Sequence, residues 1–127
     1  MPRTRKDEAP ILVQAPEIEG RYVDLGDTTV AFERFLVDVD PAPFFRGLPD
    51  DRCQCPHWGT VVSGRLAFRY ADRDEVLTAG DAYYAEPGHL PLVSAGTEVV
   101  EFSPTEQLRT TMAVVGANMA TAEEPVR

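Results

Sequence analysis

The fold is indicated by residues 53–102, which read CQCPHWGTVVSGRLAFRYADRDEVLTAGDAYYAEPGHLPLVSAGTEVVEF. Short runs of β-branched and aromatic residues alternate here with Gly, Pro and Asp, which favour turns. Turns spaced about ten residues apart predict an antiparallel sandwich or barrel of short strands. The predicted strands are Cys53–Ser63, Leu66–Tyr70, Glu75–Thr78, Ala82–Ala85, His89–Ser94 and Glu98–Phe102.

The segments before residue 53 continue the pattern of short strands. Upstream, Tyr22–Leu25 and Thr28–Val39 are rich in β-branched and aromatic residues and predict two further strands, and Ile11–Val13 predicts a short one. Residues 1–10 are polar and contain proline, so we expect a disordered tail.

The segment after residue 102 predicts a helix. Ser103-Pro104-Thr105-Glu106 has the spacing of a capping box with Pro at the first helical position. Apolar side chains then recur at helical spacing to about Ala120. The expected organisation is one domain over 11–127, with a barrel over about 21–103 and one C-terminal α-helix over about 104–120. The apolar stripe that packs this helix consists of Leu108, Met112, Val115 and Met119.

The composition excludes some classes of function. The chain has 127 residues and a net charge of −9, which argues against nucleic-acid partners and against docking to anionic lipid. No apolar run approaches the roughly 20 residues of a membrane helix. The charged first residues lead into no secretory apolar core, so we expect a cytoplasmic protein.

The chain has two histidines and two cysteines, and three of these four residues lie in Cys53-Gln54-Cys55-Pro56-His57. Thiolates and imidazoles are the ligands that zinc and other late transition metals prefer. On a flat strand the Cα atoms of residues 53 and 57 would be about 13 Å apart, too far for one ion. A kink at Pro56 would bring His57 round, and without one only two or three of the four residues could coordinate. His89 begins a later predicted strand and could reach the same point.

Residues 53–102 resemble the cupin superfamily, whose first motif is G-x5-H-x-H-x3-4-E-x6-G. Gly64 matches its closing glycine. In one frame His57 takes the glutamate position, Cys53 the second histidine and Asp51 the first. In the other, which we prefer because it uses only good metal ligands, Cys53 and Cys55 replace the H-x-H pair and His57 replaces the glutamate.

The second cupin motif, G-x5-P-x-G-x2-H, is matched in part. Gly80-Asp81 matches its opening and Gly88 its internal glycine, whereas Glu86 stands at the proline position. The family histidine falls at Pro91, and His89 lies two residues earlier on the same strand face. The resemblance implies an all-β, single antiparallel jelly-roll barrel, a bound metal ion and a homodimer.

The ligand set departs from that of the family, which commonly holds iron or manganese with three histidines and one glutamate. Metal ligands Cys53, Cys55, His57 and His89 would favour a divalent ion, zinc first and iron second. The same departure weakens any transfer of oxygenase chemistry from the family.

Other candidate site residues carry weaker signals. We expect one of Tyr83 and Tyr84 to face the interior, although the sequence does not fix which, and Glu86 could act as a general base or lie at the rim. Trp58 should point away from the His57 face and pack under the C-terminal helix. On the long strand an inward Arg34, beside Phe32 and Glu33, would indicate an acidic substrate, but its face is ambiguous.

Three functions remain compatible with the sequence. The first is a metal-dependent enzyme acting on a small organic molecule, by isomerisation, cyclisation or hydrolysis with zinc, or by oxygenation with iron. The second is a non-catalytic module that binds a small ligand or a metal. The third is a barrel without metal, in which the Cys/His cluster is packed core. Four bound side chains would indicate a structural site, and three with an open position a catalytic one.

Overall fold

A computed structural model describes residues 3–123 of the chain, with side chains to residue 120. Within these residues the chain forms nine β-strands and one α-helix, α1, at Thr105–Glu123. Three short 3-10 helices lie at Lys6–Glu8, Ala42–Phe45 and Pro49–Asp51. The strands are β1 Ile11–Gln14, β2 Ile18–Leu25, β3 Thr28–Phe35, β4 His57–Ser63, β5 Arg65–Arg69, β6 Asp74–Thr78, β7 Ala82–Ala85, β8 Leu90–Val93 and β9 Glu98–Pro104.

The strands form two antiparallel sheets among the described residues. The larger has the order β1-β2-β3-β9-β4-β7, and the smaller has the order β6-β5-β8. The two sheets face each other, because Val61 and Val99 of the larger sheet pack in one buried cluster with Leu66, Phe68 and Val93 of the smaller. The prediction of an antiparallel all-β protein with one C-terminal helix is confirmed.

The N-terminal segment, predicted to be disordered, contains the turn Lys6–Glu8. The carbonyl oxygen of Ala9 accepts a hydrogen bond of 3.2 Å from Arg21, and Ala9 itself is buried. No helix within residues 3–123 is long and apolar enough to cross a membrane.

The start of the helix differs from the prediction. Ser103 and Pro104 belong to strand β9, which runs directly into α1. The Ser103 hydroxyl contacts the His57 ring and so is turned toward the interior, and the predicted capping box does not form. The backbone amide of Thr105 instead donates to the carbonyl oxygen of Asp27 at 2.9 Å. Sheet pairing therefore decides where the helix begins, overriding the local capping signal.

The predicted strand Cys53–Ser63 is shorter than expected. Strand β4 begins at His57, and Cys53 pairs instead with His89 in an isolated antiparallel bridge. The chain bends between the two segments at Cys55, next to Pro56, where the sequence allowed a kink. This bend places the first part of the Cys-x-Cys-x-His stretch over the start of β8 and the second part in the larger sheet.

Gly64 makes the tight connection between β4 and β5, and hence between the two sheets. Its φ of +81° lies in the left-handed region, and a Cβ there would lie 2.5 Å from the Cα of Thr97. The Thr97 hydroxyl accepts a hydrogen bond from the backbone amide of Arg65 and donates one to its carbonyl oxygen, at 2.9 Å each. The connection therefore has room for no side chain at this position.

Candidate metal centre

Three of the predicted ligands converge in the interior. One ligand atom from each of Cys53, His57 and His89 lies within 4.8 Å of the other two. Sγ of Cys53 is 3.5 Å from Nε2 of His57, and the rings of His57 and His89 meet edge to face with centroids 5.1 Å apart. All three side chains are buried. The arrangement is therefore a candidate metal site with one soft sulfur and two imidazole donors.

Backbone hydrogen bonds set the distance between two of these residues. The Cys53 amide donates to the His89 carbonyl at 2.9 Å, and the Gly88 amide donates to the Cys53 carbonyl at 2.8 Å. Gly88 has a φ of +98°, a conformation that suits glycine and turns the chain from β7 into β8. His57 reaches the same point from the first position of β4.

The hydrogen bonds of the two rings favour metal binding. Nδ1 of His89 is 2.7 Å from the carbonyl oxygen of Glu86, which can only accept, so Nδ1 carries the proton and Nε2 keeps a free lone pair. Nδ1 of His57 is 2.6 Å from Oγ of Ser103 and 3.6 Å from a carboxylate oxygen of Glu101. Such partners on the far nitrogen orient a metal-binding imidazole.

Burial sets the protonation states of the three side chains. Desolvation lowers the pKa of His57 and of His89 to about 4, so both rings are neutral near pH 7. Desolvation also raises the pKa of the Cys53 thiol to about 12. A buried thiolate thus requires a nearby cation, and a bound divalent ion would supply that charge. The donor set therefore fits a metal ion.

Cys55 lies outside the group of three. Its Sγ is 3.5 Å from the carbonyl oxygen of Pro56, and the side chain belongs to a buried cluster under the helix with Phe45, Leu48, Val115 and Cys53 itself. Burial raises the pKa of its thiol to about 12. Of the four residues in the predicted ligand set, the structure brings three together and leaves Cys55 beside them.

The candidate site opens into a cavity of about 150 Å³ between the two sheets and α1. Most of its lining is apolar or aromatic, including Phe68 and Val99 from the sheets and Met112 from the helix. Three glutamates, Glu17, Glu33 and Glu101, also line it. A cavity of this size is suited to a small organic molecule.

The carboxyl groups of Glu33 and Glu101 are largely buried, with 13% of the Glu101 side chain exposed, and their pKa values are strongly perturbed. Burial, together with the charge of the neighbouring carboxyl group, raises the pKa of Glu33 to about 8, and burial raises that of Glu101 to about 7. Oη of Tyr22 donates to Glu33 at 2.7 Å. Titratable groups of this kind in a cavity are frequent at functional sites.

The weaker candidates separate into inner and outer faces. Tyr83 lines the cavity, which confirms that one of the two neighbouring tyrosines faces inward. Tyr84 is 49% exposed and stacks on Trp58, with ring centroids 5.1 Å apart. Trp58 does point away from the His57 face, but the prediction that it packs under the helix is wrong because it lies exposed on the outer face of the larger sheet.

The other charged candidates lie outside the cavity. Glu86 is partly exposed and forms an ion pair with Arg73 at the rim. Arg34 is exposed and lies 3.8 Å from Glu98, whereas its neighbour Glu33 points inward. The conditional argument for an acidic substrate, which required an inward Arg34, therefore does not apply.

Sequence reasoning missed the roles of Glu101 and Ser103. Glu101 occupies an inward position of β9, two residues from Val99 and two from Ser103. Because alternate residues of a strand share a face, an acidic residue in phase with buried positions was the available signal. Its register opposite Gly59 could not be obtained without the sheet order.

We expect Glu33→Gln to weaken the pH dependence of stability in the metal-free protein. The pKa of Glu33 is raised from 4.5 to about 8 in the folded protein. Between these two pH values the folded protein therefore keeps a proton on Glu33 that the unfolded chain has lost. This contribution is complete below pH 4.5 and is lost as the pH rises through about 8. Between pH 6.5, the ordinary histidine value, and pH 8, the free energy of unfolding should fall by about 1 kcal/mol or more, and less in the variant.

Urea unfolding at several pH values measures this effect. Glu75→Gln, the same change at an exposed position of β6, is the matched control and should behave as the wild type. Parallel curves for wild type and Glu33→Gln above pH 6.5 would contradict the expected proton uptake.

Solved structures give the class of fold. An RmlC-like cupin from Shewanella frigidimarina matches with a TM-score of 0.54 and 15% identity over 80% of this chain and 88% of that one. AerE from Microcystis aeruginosa matches with a TM-score of 0.56 and 14% identity over 76% of this chain and 46% of that one. The Fe(II) form of HppE matches with a TM-score of 0.55 and 15% identity over 79% and 58%.

The similarity to the RmlC-like cupin shows that the chain has a cupin fold. The chain spans about half the length of AerE and of HppE. No protein-family model matches the sequence, and no curated protein is detectably similar to it.

Proposed function

We propose that this protein is a zinc-dependent enzyme that acts on a small organic molecule. The observation that carries the proposal is the convergence of Cys53, His57 and His89, one ligand atom from each lying within 4.8 Å of the others, at the wall of a cavity. Three protein ligands leave a coordination position for water or substrate, which is the pattern of catalytic rather than structural zinc sites.

The side chains around the proposed ion have distinct roles. Cys53, His57 and His89 would hold it, while Ser103 and the Glu86 carbonyl orient the two rings. Bound zinc would act as a Lewis acid that polarises an oxygen of the substrate. Glu33 and Glu101 lie in the same cavity and can accept or donate a proton, as isomerisation, cyclisation or hydrolysis requires.

Iron is the second candidate for the metal. The Fe(II) form of HppE shares the fold, and iron would make oxygenation the expected reaction. The Cys53 thiolate favours zinc, since the family pattern for iron uses histidines and a glutamate. A second candidate function is a non-catalytic module for metal or ligand binding, favoured if Cys55 completes a closed site of four side chains.

Elemental analysis of the purified protein, followed by X-ray absorption at the metal edge, tests the proposal. We expect about one equivalent of zinc, with one sulfur and two nitrogen ligands and a further light atom from water. A spectrum with two sulfurs would favour the closed structural site. Protein that takes up no divalent metal would refute the metal-dependent function.

We further propose that residues 11–127 form one domain, that the two sheets close as a jelly-roll barrel, and that the chain is a homodimer. An aromatic row on the outer face of the larger sheet supports the dimer: Trp58 lies opposite both Tyr84 and Phe102, and all three side chains are over 40% exposed. Exposed aromatic clusters of this kind mark protein interfaces.

Replacement of Trp58 by serine is expected to convert the dimer to a monomer. Light scattering after gel filtration should give twice the 14.0 kDa chain mass for the wild type and the single mass for the variant. Val76→Ser, at a similarly exposed position of the smaller sheet, should leave the mass unchanged. A wild-type protein that is monomeric at high concentration would contradict the proposal.

A further inference from the structure

Four polar side chains on the inner face of the larger sheet form a group, Tyr22, Glu33, Tyr83 and Glu101, which we term the carboxyl cluster. Two glycines make room for its tyrosine rings. A Cβ at position 20 would lie 2.6 Å from the Tyr22 ring, and a Cβ at position 59 would lie 2.6 Å from the Tyr83 ring. Both tyrosine rings therefore lie flat against a strand.

One tyrosine of the cluster forms a hydrogen bond with a carboxyl group, and the other does not. Tyr22 donates to Glu33 at 2.7 Å, and the Glu101 carboxyl lies close enough to Glu33 to raise its pKa. The Tyr83 hydroxyl is buried beside the Glu101 carboxyl, which contributes to its raised pKa, but no atom of the described residues lies in hydrogen-bonding geometry with it. A buried hydroxyl normally has a partner, so this one is available to a ligand.

The charge of the cavity restricts which ligand can enter. Among residues 3–120, whose side chains are described, no lysine or arginine lines the cavity. An anionic group would find no side-chain cation at this end to compensate the loss of its hydration, so the lining disfavours it. The rest of the lining is mainly apolar and favours an uncharged body.

We propose that the carboxyl cluster is a ligand subsite that binds the hydroxyl group of a small, uncharged alcohol whose apolar body fills the cavity. The inference rests on the proposed small-molecule function and specifies the chemical class of its substrate. The ligand hydroxyl accepts a hydrogen bond from Tyr83 and donates one to the Glu101 carboxyl group. An ammonium group can only donate and a carboxylate can only accept, so neither satisfies both partners.

The volume of the cavity limits the size of the alcohol. A cavity of about 150 Å³ is comparable to one that accommodates benzene in an engineered protein core. Benzyl alcohol, benzylamine, benzoate and toluene are therefore suitable probes, since they share a ring and differ in the group presented to the cluster.

The test measures the dissociation constants of these four compounds by protein-observed NMR at pH 7, on the protein as purified and after chelator treatment. The probes are compared on the metal-free form, because a carboxylate or an amine would also bind a metal ion in the same cavity. We expect benzyl alcohol to bind most tightly. The dissociation constant of benzoate should be roughly tenfold larger or more. Tyr83→Phe should weaken benzyl alcohol about three- to tenfold and leave toluene unchanged. Tyr84→Phe, on the adjacent outward-facing residue, is the matched control and should change neither.

A second variant covers the case in which Tyr83→Phe fails to fold, as judged by its thermal transition. Glu101→Gln replaces the proposed accepting carboxyl group by an amide of similar volume that can also donate to a carboxylate, so it should narrow the difference between benzyl alcohol and benzoate. Benzoate or benzylamine binding as tightly as the alcohol to the wild type would overturn the proposal, as would equal effects of the two tyrosine variants.

The outcomes separate this inference from the proposed function. Protein that takes up no divalent metal but still prefers the alcohol would refute the metal-dependent function and leave the subsite intact. Protein that carries metal but shows no preference among the probes would refute the subsite alone.

Discussion

Replacement of His89 by alanine is expected to lower the affinity for zinc by a factor of about 100 or more, and Cys53→Ser should do the same. Each change removes one of the three ligand atoms that lie within 4.8 Å of one another. The remaining two donors cannot hold the ion against a competing chelator. Chelator competition and elemental analysis after gel filtration measure the loss.

Cys55→Ser is the matched control for Cys53→Ser, because the two cysteines are both buried and lie two residues apart. Since Cys55 lies outside the group of three, its variant should retain the metal. An equal loss of zinc in both cysteine variants would instead favour the four-ligand set predicted from the sequence. Full retention of metal in Cys53→Ser and His89→Ala would remove the basis of the metal site.

Replacement of Gly64 by alanine is expected to destabilise the protein by about 3 kcal/mol or more. The left-handed backbone costs a non-glycine residue roughly 1–2 kcal/mol, and forced overpacking adds roughly 1–3 kcal/mol. At Gly64, where φ is +81°, the new methyl group would lie 2.5 Å from the Cα of Thr97, an atom that cannot move without displacing the backbone. Urea unfolding of the metal-free protein measures the change.

Gly96→Ala separates the two causes of this loss. Gly96 has a φ of +85°, but a methyl group there would have no neighbouring atom within 4 Å, so only the backbone cost should apply, about 1–2 kcal/mol. Similar losses in the two variants would show that the close approach to Thr97 is relieved by small shifts and contributes little.

Elements governed by local pattern could be predicted from the sequence. The strand from Leu66 to Tyr70 and the strand from Ala82 to Ala85 lie within one residue of where alternation and turn residues placed them. The helical apolar stripe likewise matches, since Leu108 and Met112 pack toward the buried cluster that contains Val115. In these segments local preference and burial favour the same structure.

Features that depend on distant pairing could not be predicted. The capping signal at Ser103 is real in the sequence, but pairing with β3 and β4 keeps the residue in a strand. The sequence predicted that the metal ligands would converge only if the chain bends before His57. The bridge that brings Cys53 to His89 joins residues 36 positions apart, which local sequence does not encode. The proximity of Glu33 and Glu101 likewise follows from the β3–β9 register, which local sequence does not encode.

The main-chain bridge between Cys53 and His89 has a consequence for how an ion would be captured. Because hydrogen bonds join the backbones of the two residues directly, folding and not the ion sets the spacing between the Cys53 and His89 ligand atoms. Coordination then requires loss of the sulfhydryl proton and small rotamer adjustments, with no conformational search by the chain. We therefore expect the metal-free and metal-bound forms to share one backbone conformation, in contrast to small zinc modules that fold only when the ion binds.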